Sequence, residues 1–528
     1  MKQNLKLDTA ESVRWTTEPR IVRAILPRPR RGGEGRGEGE TGTRPIASTQ
    51  PLTLPSPLPK GRGRTTSRAG NASCRLMSIA PLLMALSAVA LLTSCSSDTP
   101  PSVNRGKPSD PTKVTIKRTA EKSQLYVNGQ PFYVKGAGLE FGSPEKLAAH
   151  GGNTFRTWRT ENGKSSGQQV LDRALTNGLY VAMGLEIARE RHGFDYNNPA
   201  DVARQFAEVK AEVLKYKDHP ALISWIIGNE LNLRATNPKV WDAVNEISKM
   251  IHQVDPNHLT MTALAGIGKD LVNDIKTRAP DLDLIGIQSY ADIMNLPRYL
   301  KESGWDRPYL VTEWGATGHW EVGKTEWGAP IENDSTTKAE FYQKRFEAVI
   351  RPDQTQCLGS FVFLWGQKQE RTPTWYGMFL ESGEETATVD VMHYLWNGKW
   401  PTNRSPRLDG AWLVGKTAPE NIRLKTGQAA TAKITARDED GDPLTYAWEI
   451  LEESRDLKDG GDLESKPQSL AGLIPSPNKP EITLTAPAKS GAYRLFAYVF
   501  DGKGGAAHVN IPFYVEAAAQ AAAPNIKN

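Results

Sequence analysis

Eight short apolar runs, separated by amphipathic stretches, constrain the fold of this chain more than any other feature. Each run is nearly continuous in apolar character, which is typical of parallel strands that are covered by helices. The intervening stretches repeat apolar residues at helical spacing, as Val202, Phe206 and Val209 do. The runs cover residues 132–139, 154–158, 179–185, 222–227, 259–263, 284–287, 309–311 and 361–365.

The number and spacing of these runs predict an α/β fold. Eight strands that alternate with helices over roughly 270 residues match the size of a (β/α)₈ TIM barrel. A doubly wound open sheet remains the alternative, because periodicity does not distinguish the two. Just before the first run, Asn128 and Gly129 separate two β-prone segments and indicate a tight hairpin.

Two glutamates follow the fourth and seventh runs, where a barrel of this kind carries its chemistry. The fourth run leads to Glu230 in the sequence GNE, and the seventh leads to Glu313 in TEWG. Cleavage of a glycosidic bond requires two carboxyl groups in one pocket. One holds a proton for the leaving oxygen, and the other stays ionised to attack or stabilise the sugar. The spacing therefore makes Glu230 and Glu313 candidate catalytic residues.

These two motifs, with Arg156, Tyr290 and Trp365 at other strand ends, resemble a known clan of enzymes. They are similar to the retaining glycoside hydrolases whose (β/α)₈ barrel carries catalytic glutamates on strands four and seven. Within that clan, this sequence looks most like the barrel domains of family 2 and the enzymes of family 5. The resemblance covers residues 113–400. A surface or core position is the competing interpretation for each residue taken singly.

The resemblance implies a role for each matching residue. Glu230 would be the general acid/base and Glu313 the nucleophile. Asn229 would bond the sugar 2-hydroxyl, Arg156 and Tyr290 would hold Glu313, and Trp365 would form the floor of a sugar subsite. The residues expected to contact substrate are Arg156, Asn229, Tyr290, Trp365, Trp314 and Glu140.

The expected function is hydrolysis of a β-linked oligo- or polysaccharide through a covalent glycosyl-enzyme intermediate. No cofactor and no metal is expected in the catalytic site. A β-glycan transglycosylase would use the same residues, because a sugar hydroxyl can intercept the same intermediate. A non-catalytic glycan-binding lipoprotein is a further alternative, although the intact pair of glutamates argues against it.

The positive charge of the chain is confined to its first segment. Residues 1–76 hold 15 Lys and Arg against 6 Asp and Glu, whereas the remainder holds 50 against 54. This Gly-, Pro- and Arg-rich segment is predicted to be disordered, or to be upstream sequence that precedes a start at Met77. A nucleic-acid partner is therefore not expected, since that class of function would depend on residues 1–76 alone.

Residues 77–95 have the form of a secretory signal. An apolar run over residues 79–92 leads to the sequence LTSC, which resembles a bacterial lipobox with Cys95 as the lipidated residue. An apolar helix with an incidental cysteine is the alternative. The resemblance implies a lipid-anchored protein of the bacterial cell envelope, in the outer membrane and facing the periplasm or the surface. Residues 96–112 would be a polar linker.

The C-terminal part changes to short alternating segments. After a linker predicted over residues 401–415, residues 416–517 are expected to form a β-sandwich that resembles Ig-like or PKD modules. The acidic residues 438–442 could hold a weakly bound Ca²⁺ ion, or they could form a plain acidic turn. Residues 518–528 would be a frayed tail.

Overall fold

The structure is a computed structural model that describes residues 110–517. The predictions for residues 1–76, for the signal segment 77–95 with Cys95, for most of the linker 96–112 and for the tail 518–528 lie outside this range. Within the described range, no helix has both the length and the apolar character that crossing a membrane would need.

A small antiparallel sheet precedes the barrel and closes its N-terminal end. β2 and β3 form the predicted hairpin, with left-handed φ values of 50° at Asn128 and 79° at Gly129. Apolar side chains of this sheet pack with residues inside the barrel, among them Met261 and Phe361. The strands are β1 (Val114–Arg118), β2 (Ser123–Val127) and β3 (Gln130–Phe132).

The eight predicted runs form a closed barrel of eight parallel strands within residues 110–517. Each strand pairs with its neighbours in sequence, and the last pairs with the first through Gly359 and Val134. The closure confirms the TIM barrel and excludes the open sheet. The strands are β4 (Val134–Gly138), β5 (Thr154–Arg156), β6 (Tyr180–Leu185), β7 (Leu222–Asn229), β8 (Leu259–Ala265), β9 (Ile285–Gln288), β10 (Tyr309–Gly315) and β11 (Cys357–Phe363).

Helices follow the barrel strands and cover the sheet. α3 shows the local cause of a helix start, because the Asn198 side chain accepts a hydrogen bond from the Ala200 backbone N–H. The α-helices are α1 (Pro144–Ala149), α2 (Gly167–Thr176), α3 (Pro199–Tyr216), α4 (Lys239–Val254), α5 (Lys269–Arg278), α6 (Leu296–Ser303), α7 (Ser335–Arg345) and α8 (Ala387–Asn397). Short 3₁₀ helices span Glu190–His192, Ala291–Asn295 and Ala418–Glu420, and a π-helical turn spans Phe346–Ile350.

The C-terminal part folds as two sheets around a shared apolar core. One sheet has the order β12-β19-β18-β16, with β14 also paired to β19, and the other has the order β13-β15-β17. The strands are β12 (Glu385–Thr386), β13 (Arg407–Leu413), β14 (Ile422–Lys425), β15 (Ala429–Arg437), β16 (Thr445–Glu452), β17 (Glu481–Thr485), β18 (Gly491–Phe500) and β19 (Gly505–Glu516).

The predicted linker over residues 401–415 needs correction. It contains β13, which pairs with β15 and contributes Leu408 and Leu413 to the sandwich core. Mixed polar and apolar composition concealed this strand, because only alternate residues face the core.

The acidic segment that could hold Ca²⁺ forms a hydrogen-bonded turn. Asp438 Oδ1 accepts from the backbone N–H groups of Asp440 and Asp442 at 2.9 and 3.0 Å. In the described part of the chain, no group of three or more His, Cys, Asp or Glu side chains converges as a metal site would require.

A buried polar network joins the sandwich to the barrel. Lys338 on α7 donates to Glu332 at 2.5 Å, and both side chains are buried. Asn510 on β19 donates to the second oxygen of Glu332 at 2.5 Å, and Thr372 donates to the same oxygen. A buried charge is destabilising unless it is paired and hydrogen-bonded. Because the partners of Glu332 come from both domains, the network stabilises the contact between them.

Replacing Lys338 by Met is expected to lower the free energy of unfolding by about 3–5 kcal/mol, because Glu332 would remain as a buried, uncompensated charge. Urea unfolding of the full chain at pH 7, followed by tryptophan fluorescence, measures the change. Arg298→Ala is the control. It removes an exposed pair with Glu302, and its effect should stay below about 1 kcal/mol. Equal stability of the two variants would contradict the assigned role of the network.

Candidate active site

A pocket of about 1350 Å³ opens at the C-terminal end of the barrel. This volume exceeds the roughly 300–1000 Å³ of a usual small-molecule site, so an extended ligand can fit. Every barrel strand contributes to its lining at or just after its carboxyl end. One residue from each strand end, in order from β4 to β11, is Glu140, Trp158, Glu186, Asn229, Ala265, Gln288, Glu313 and Phe363.

An irregular strand end turns Glu230 toward the pocket. The register of β7 against β8 shifts between Ile226 and Asn229. Gly228 and Glu230 adopt left-handed φ values of 77° and 52°. A non-glycine residue rarely adopts such a φ, and such residues cluster at functional sites. The Glu230 backbone N–H is tied to Ala263 O at 2.8 Å, which fixes the turn.

Four side chains hold the carboxylate of Glu313. Its Oε1 accepts from Arg156 Nη1 at 3.1 Å, Trp158 Nε1 at 3.0 Å and Gln288 Nε2 at 2.9 Å. Its Oε2 accepts from the Tyr290 hydroxyl at 2.9 Å. Because every partner donates, the group is fixed in orientation and acts as an acceptor.

Asn229, which directly precedes Glu230, belongs to the hydrogen-bond network that holds Glu313. Its Oδ1 accepts from Arg156 Nη2 and Gln288 Nε2, both at 2.7 Å. With the oxygen committed, the amide NH₂ of Asn229 is the part that remains to donate to a ligand. The predicted residues Arg156, Asn229, Tyr290 and Glu313 are therefore brought together, with Glu230 next to Asn229 on the pocket wall.

The two catalytic candidates differ in their electrostatic surroundings. Burial, followed by the nearby charge of Glu313, raises the pKa of Glu230 from 4.5 to about 8. Arg191 and Arg156 oppose this rise but do not cancel it. Burial and Glu313 also raise the pKa of Tyr290 well above 10, so its hydroxyl remains a donor. With a pKa of about 8, Glu230 carries a proton at neutral pH.

The structure corrects the prediction for two tryptophans. Trp314 and Trp365 both have 0% of their surface exposed. Trp314 follows Glu313 on β10 and therefore faces the opposite side, against Tyr342 on α7. The ring of Trp365 packs on Trp396, and its Nε1 donates to Ser143 O. Trp314 is not among the residues that line the pocket. Trp365 is among them, but its ring has no exposed surface on which a ligand could stack.

Other aromatic side chains line the pocket in their place. Trp158 contacts Phe363, and Tyr290 contacts both Phe363 and Trp320 by their edges. Trp320 is 57% exposed at the mouth. Trp158, Gln288 and Phe363 were not among the predicted site residues. Trp158 ends the run 154–158 and Gln288 directly follows the run 284–287, whereas Phe363 lies inside the run 361–365 and ends the observed strand.

Glu140 lies at the edge of the pocket, and an arginine neutralises it. Its Oε1 accepts from Arg159 Nε at 2.6 Å. This pair can contact a ligand at the mouth but is separate from the hydrogen bonds that hold Glu313.

Comparisons with known proteins give partial likenesses. No protein-family model matches the chain. A segment of 69 residues is 35% identical to mannan endo-1,4-beta-mannosidase F of Aspergillus clavatus, and covers 13% of this chain and 16% of that protein. The chain therefore spans only a small part of this curated relative.

Solved structures of other proteins are similar to this chain at low identity. A beta-glucuronidase of Bacteroides uniformis has a TM-score of 0.43 at 12% identity, over 77% of this chain and 48% of that one. A family 5 mannosidase of Rhizomucor miehei has a TM-score of 0.41 at 15% identity, over 55% of this chain and 97% of that one. The fold therefore rests on the order and closure of the strands themselves.

The raised pKa of Glu230 can be measured directly. The carboxyl of Glu230, identified by its loss in Glu230→Gln, should titrate near pH 8 in infrared difference spectra. In Glu313→Gln the midpoint should fall, because one cause of the rise is removed. It should stay above 4.5, because burial remains. An unchanged midpoint in Glu313→Gln would show that the two groups do not interact.

Proposed function

We propose that this chain is a glycoside hydrolase that cleaves a β-linked glycan with retention of configuration. One observation carries the proposal: a single pocket holds two carboxyl groups in different surroundings. Burial and the charge of Glu313 raise the pKa of Glu230 to about 8, and four donors fix the carboxylate of Glu313. A carboxyl group with a raised pKa suits the acid role, and a carboxylate held in place by donors suits the role of nucleophile.

In the first step Glu313 attacks the anomeric carbon and Glu230 gives its proton to the leaving oxygen. The product is a glycosyl ester on Glu313 and a free alcohol. Esterification removes the charge of Glu313, which is one cause of the raised pKa of Glu230. Glu230, now ionised, is therefore suited to take a proton from water as the water attacks the ester in the second step.

The surrounding residues position the sugar. Asn229 lines the pocket together with both glutamates, and its NH₂ can donate to the 2-hydroxyl of the reacting ring because its Oδ1 already accepts from Arg156 and Gln288. The exposed ring of Trp320 and the edges of Trp158 and Phe363 offer apolar surface to sugar faces. The proteins named above act on mannan or glucuronides, so mannans and glucuronides belong in a substrate panel with β-glucans and galactosides.

Substitution of the two glutamates tests the proposal. Glu313→Ala should reduce kcat/KM at least about 10⁴-fold, as removal of the nucleophile does in other hydrolases. Glu230→Ala should cost about 10²–10⁴-fold on a glycan. Its effect should be smaller on a dinitrophenyl β-glycoside, whose leaving group needs no proton. Initial rates on the panel measure both effects.

Glu208→Ala is the matched control, because Glu208 is an exposed glutamate on α3. It should retain wild-type activity. An activated 2-deoxy-2-fluoro glycoside should label the peptide that contains Glu313. A label on any other residue, or full activity in Glu313→Ala, would overturn the assignment. Products longer than the substrate would identify the transglycosylase alternative.

The predicted lipid anchor would place this activity in the bacterial cell envelope. Cys95→Ala should move the protein from the membrane fraction to the soluble fraction of a bacterial host that processes lipoproteins. Mass spectrometry of the native N-terminus should find a lipidated cysteine. An intact, unlipidated peptide from residues 1–76 would contradict the anchor without affecting the catalytic proposal.

A further inference from the structure

A loop of the C-terminal sandwich reaches the catalytic pocket. The segment between β16 and β17 includes residues 456–464, which we call the strap. Asp459, Gly460, Gly461, Asp462 and Leu463 of the strap all line the pocket. Leu463 is 84% exposed there. A domain that sequence analysis separates from the barrel thus supplies part of the wall of the site.

One side of the strap is tied to the segments that follow β6 and β7. Asp462 pairs with Arg191 at 3.4 Å and with His192 at 2.9 Å. Asp459 pairs with Arg234 at 2.5 Å. These barrel residues lie close to Glu230 in sequence or in space, and Arg191 is among the charges that act on the pKa of Glu230.

The other side of the strap is tied to the segment that follows β11. Lys368 Nζ donates to Gly461 O at 2.5 Å. Arg371 donates through Nη1 to Glu464 at 2.5 Å and through Nη2 to Lys458 O at 2.9 Å. Glu464 is buried, so this second attachment is a desolvated ion pair rather than a surface contact.

The two attachments lie on opposite sides of the barrel mouth. β7 and β11 are four positions apart in the ring of eight strands, in either direction. The crossing takes place at Gly460 and Gly461, with φ values of 62° and 73°. A Cβ on Gly460 would lie 2.7 Å from Arg191 Nη2, and one on Gly461 would lie 3.1 Å from Lys368 Nζ. The glycines therefore allow the strap to pass between charged side chains.

The sandwich that carries the strap contacts the barrel at several points. The sandwich shares the Glu332 network with the barrel, and Arg494 on β18 donates to Pro330 O of the barrel at 2.6 Å. β12, which precedes α8, is also an edge strand of the sandwich sheet. The strap therefore extends from a domain that several contacts hold against the barrel.

We propose that the strap makes this enzyme act at the end of a glycan chain. This inference rests on the proposed glycosidase function. A polymer can lie across an open cleft and be cut at any internal bond. The strap joins opposite sides of the mouth and covers the site between them. A glycan must therefore enter the site by one of its ends, whether the site is a pocket or a short tunnel. The substrate class is thus the terminal unit or units of a β-linked oligo- or polysaccharide.

The position of the first cut tests the inference. Hexasaccharides of β-linked mannose, glucose and galactose, tagged at the reducing end, are digested by the full chain and the first products are sized by mass spectrometry. The wild type should release a terminal fragment of one size. A variant with residues 457–463 replaced by Gly-Ser-Gly should also cut internal bonds, and the share of internal products should rise severalfold.

A second variant avoids the risk that the shortened loop does not fold. Asp459→Ala with Asp462→Ala keeps the strap but removes its ion pairs with Arg191 and Arg234 and its hydrogen bond with His192. It should shift the products in the same direction. Asp409→Ala is the matched control, because it removes an exposed sandwich ion pair with Arg437. It should leave the product pattern unchanged.

The inference and the proposed function can fail separately. Internal cuts by the wild type from the first turnover, or an unchanged pattern in both strap variants, would overturn chain-end action. Neither result would affect the assignment of Glu313, which depends on the loss of activity in Glu313→Ala.

Discussion

The buried guanidinium of Arg156 is the charge around which the rest of the site is arranged. It stands inside the barrel with no exposed surface. A charge in that position is stable only if acceptors surround it. Glu313, Asn229 and the carbonyl of Thr312 supply those acceptors. Closure of the barrel brings β5, β7 and β10 to one point, so the fold and the ion pair depend on each other.

The same ion pair makes the surroundings of the two glutamates different. Arg156 bonds directly to Glu313, whereas it acts on Glu230 only through space. Burial and the nearby charge of Glu313 raise the pKa of Glu230 to about 8, because Arg156 opposes this rise only in part. Between pH 4.5 and about 8, this carboxyl is ionised in the unfolded chain but still protonated in the folded one. Its contribution to the free energy of unfolding therefore falls as pH rises through this range. Glu230 thus lowers the free energy of unfolding at neutral pH relative to its value below pH 4.5.

Sequence patterns predicted the parts of the molecule that depend on local periodicity. The eight apolar runs correspond to the eight barrel strands, and Glu230 and Glu313, at the ends of two of them, line the same pocket. The aromatic residues were harder to place, because residue type does not tell which side of a strand a ring faces. Trp314 consequently packs in the core and Trp365 lies buried beside the pocket, whereas Trp158 and Phe363 line the pocket.

The contribution of the sandwich to the pocket could not be read from any local pattern. Residues 456–464 are polar and glycine-containing, as an ordinary surface loop is, and their partners are up to about 270 residues away in sequence. Only the docking of one domain on the other brings Asp462 to Arg191 and Glu464 to Arg371.

That docking depends in turn on Glu332, in the segment between β10 and α7. The same segment carries His319 and Trp320 at the pocket mouth. His319 bonds both Tyr376 and Arg371, the residue that holds Glu464 of the strap. A change at the domain interface can therefore reach the pocket through the loops on both sides of it. The barrel and the sandwich are for this reason best regarded as one catalytic unit.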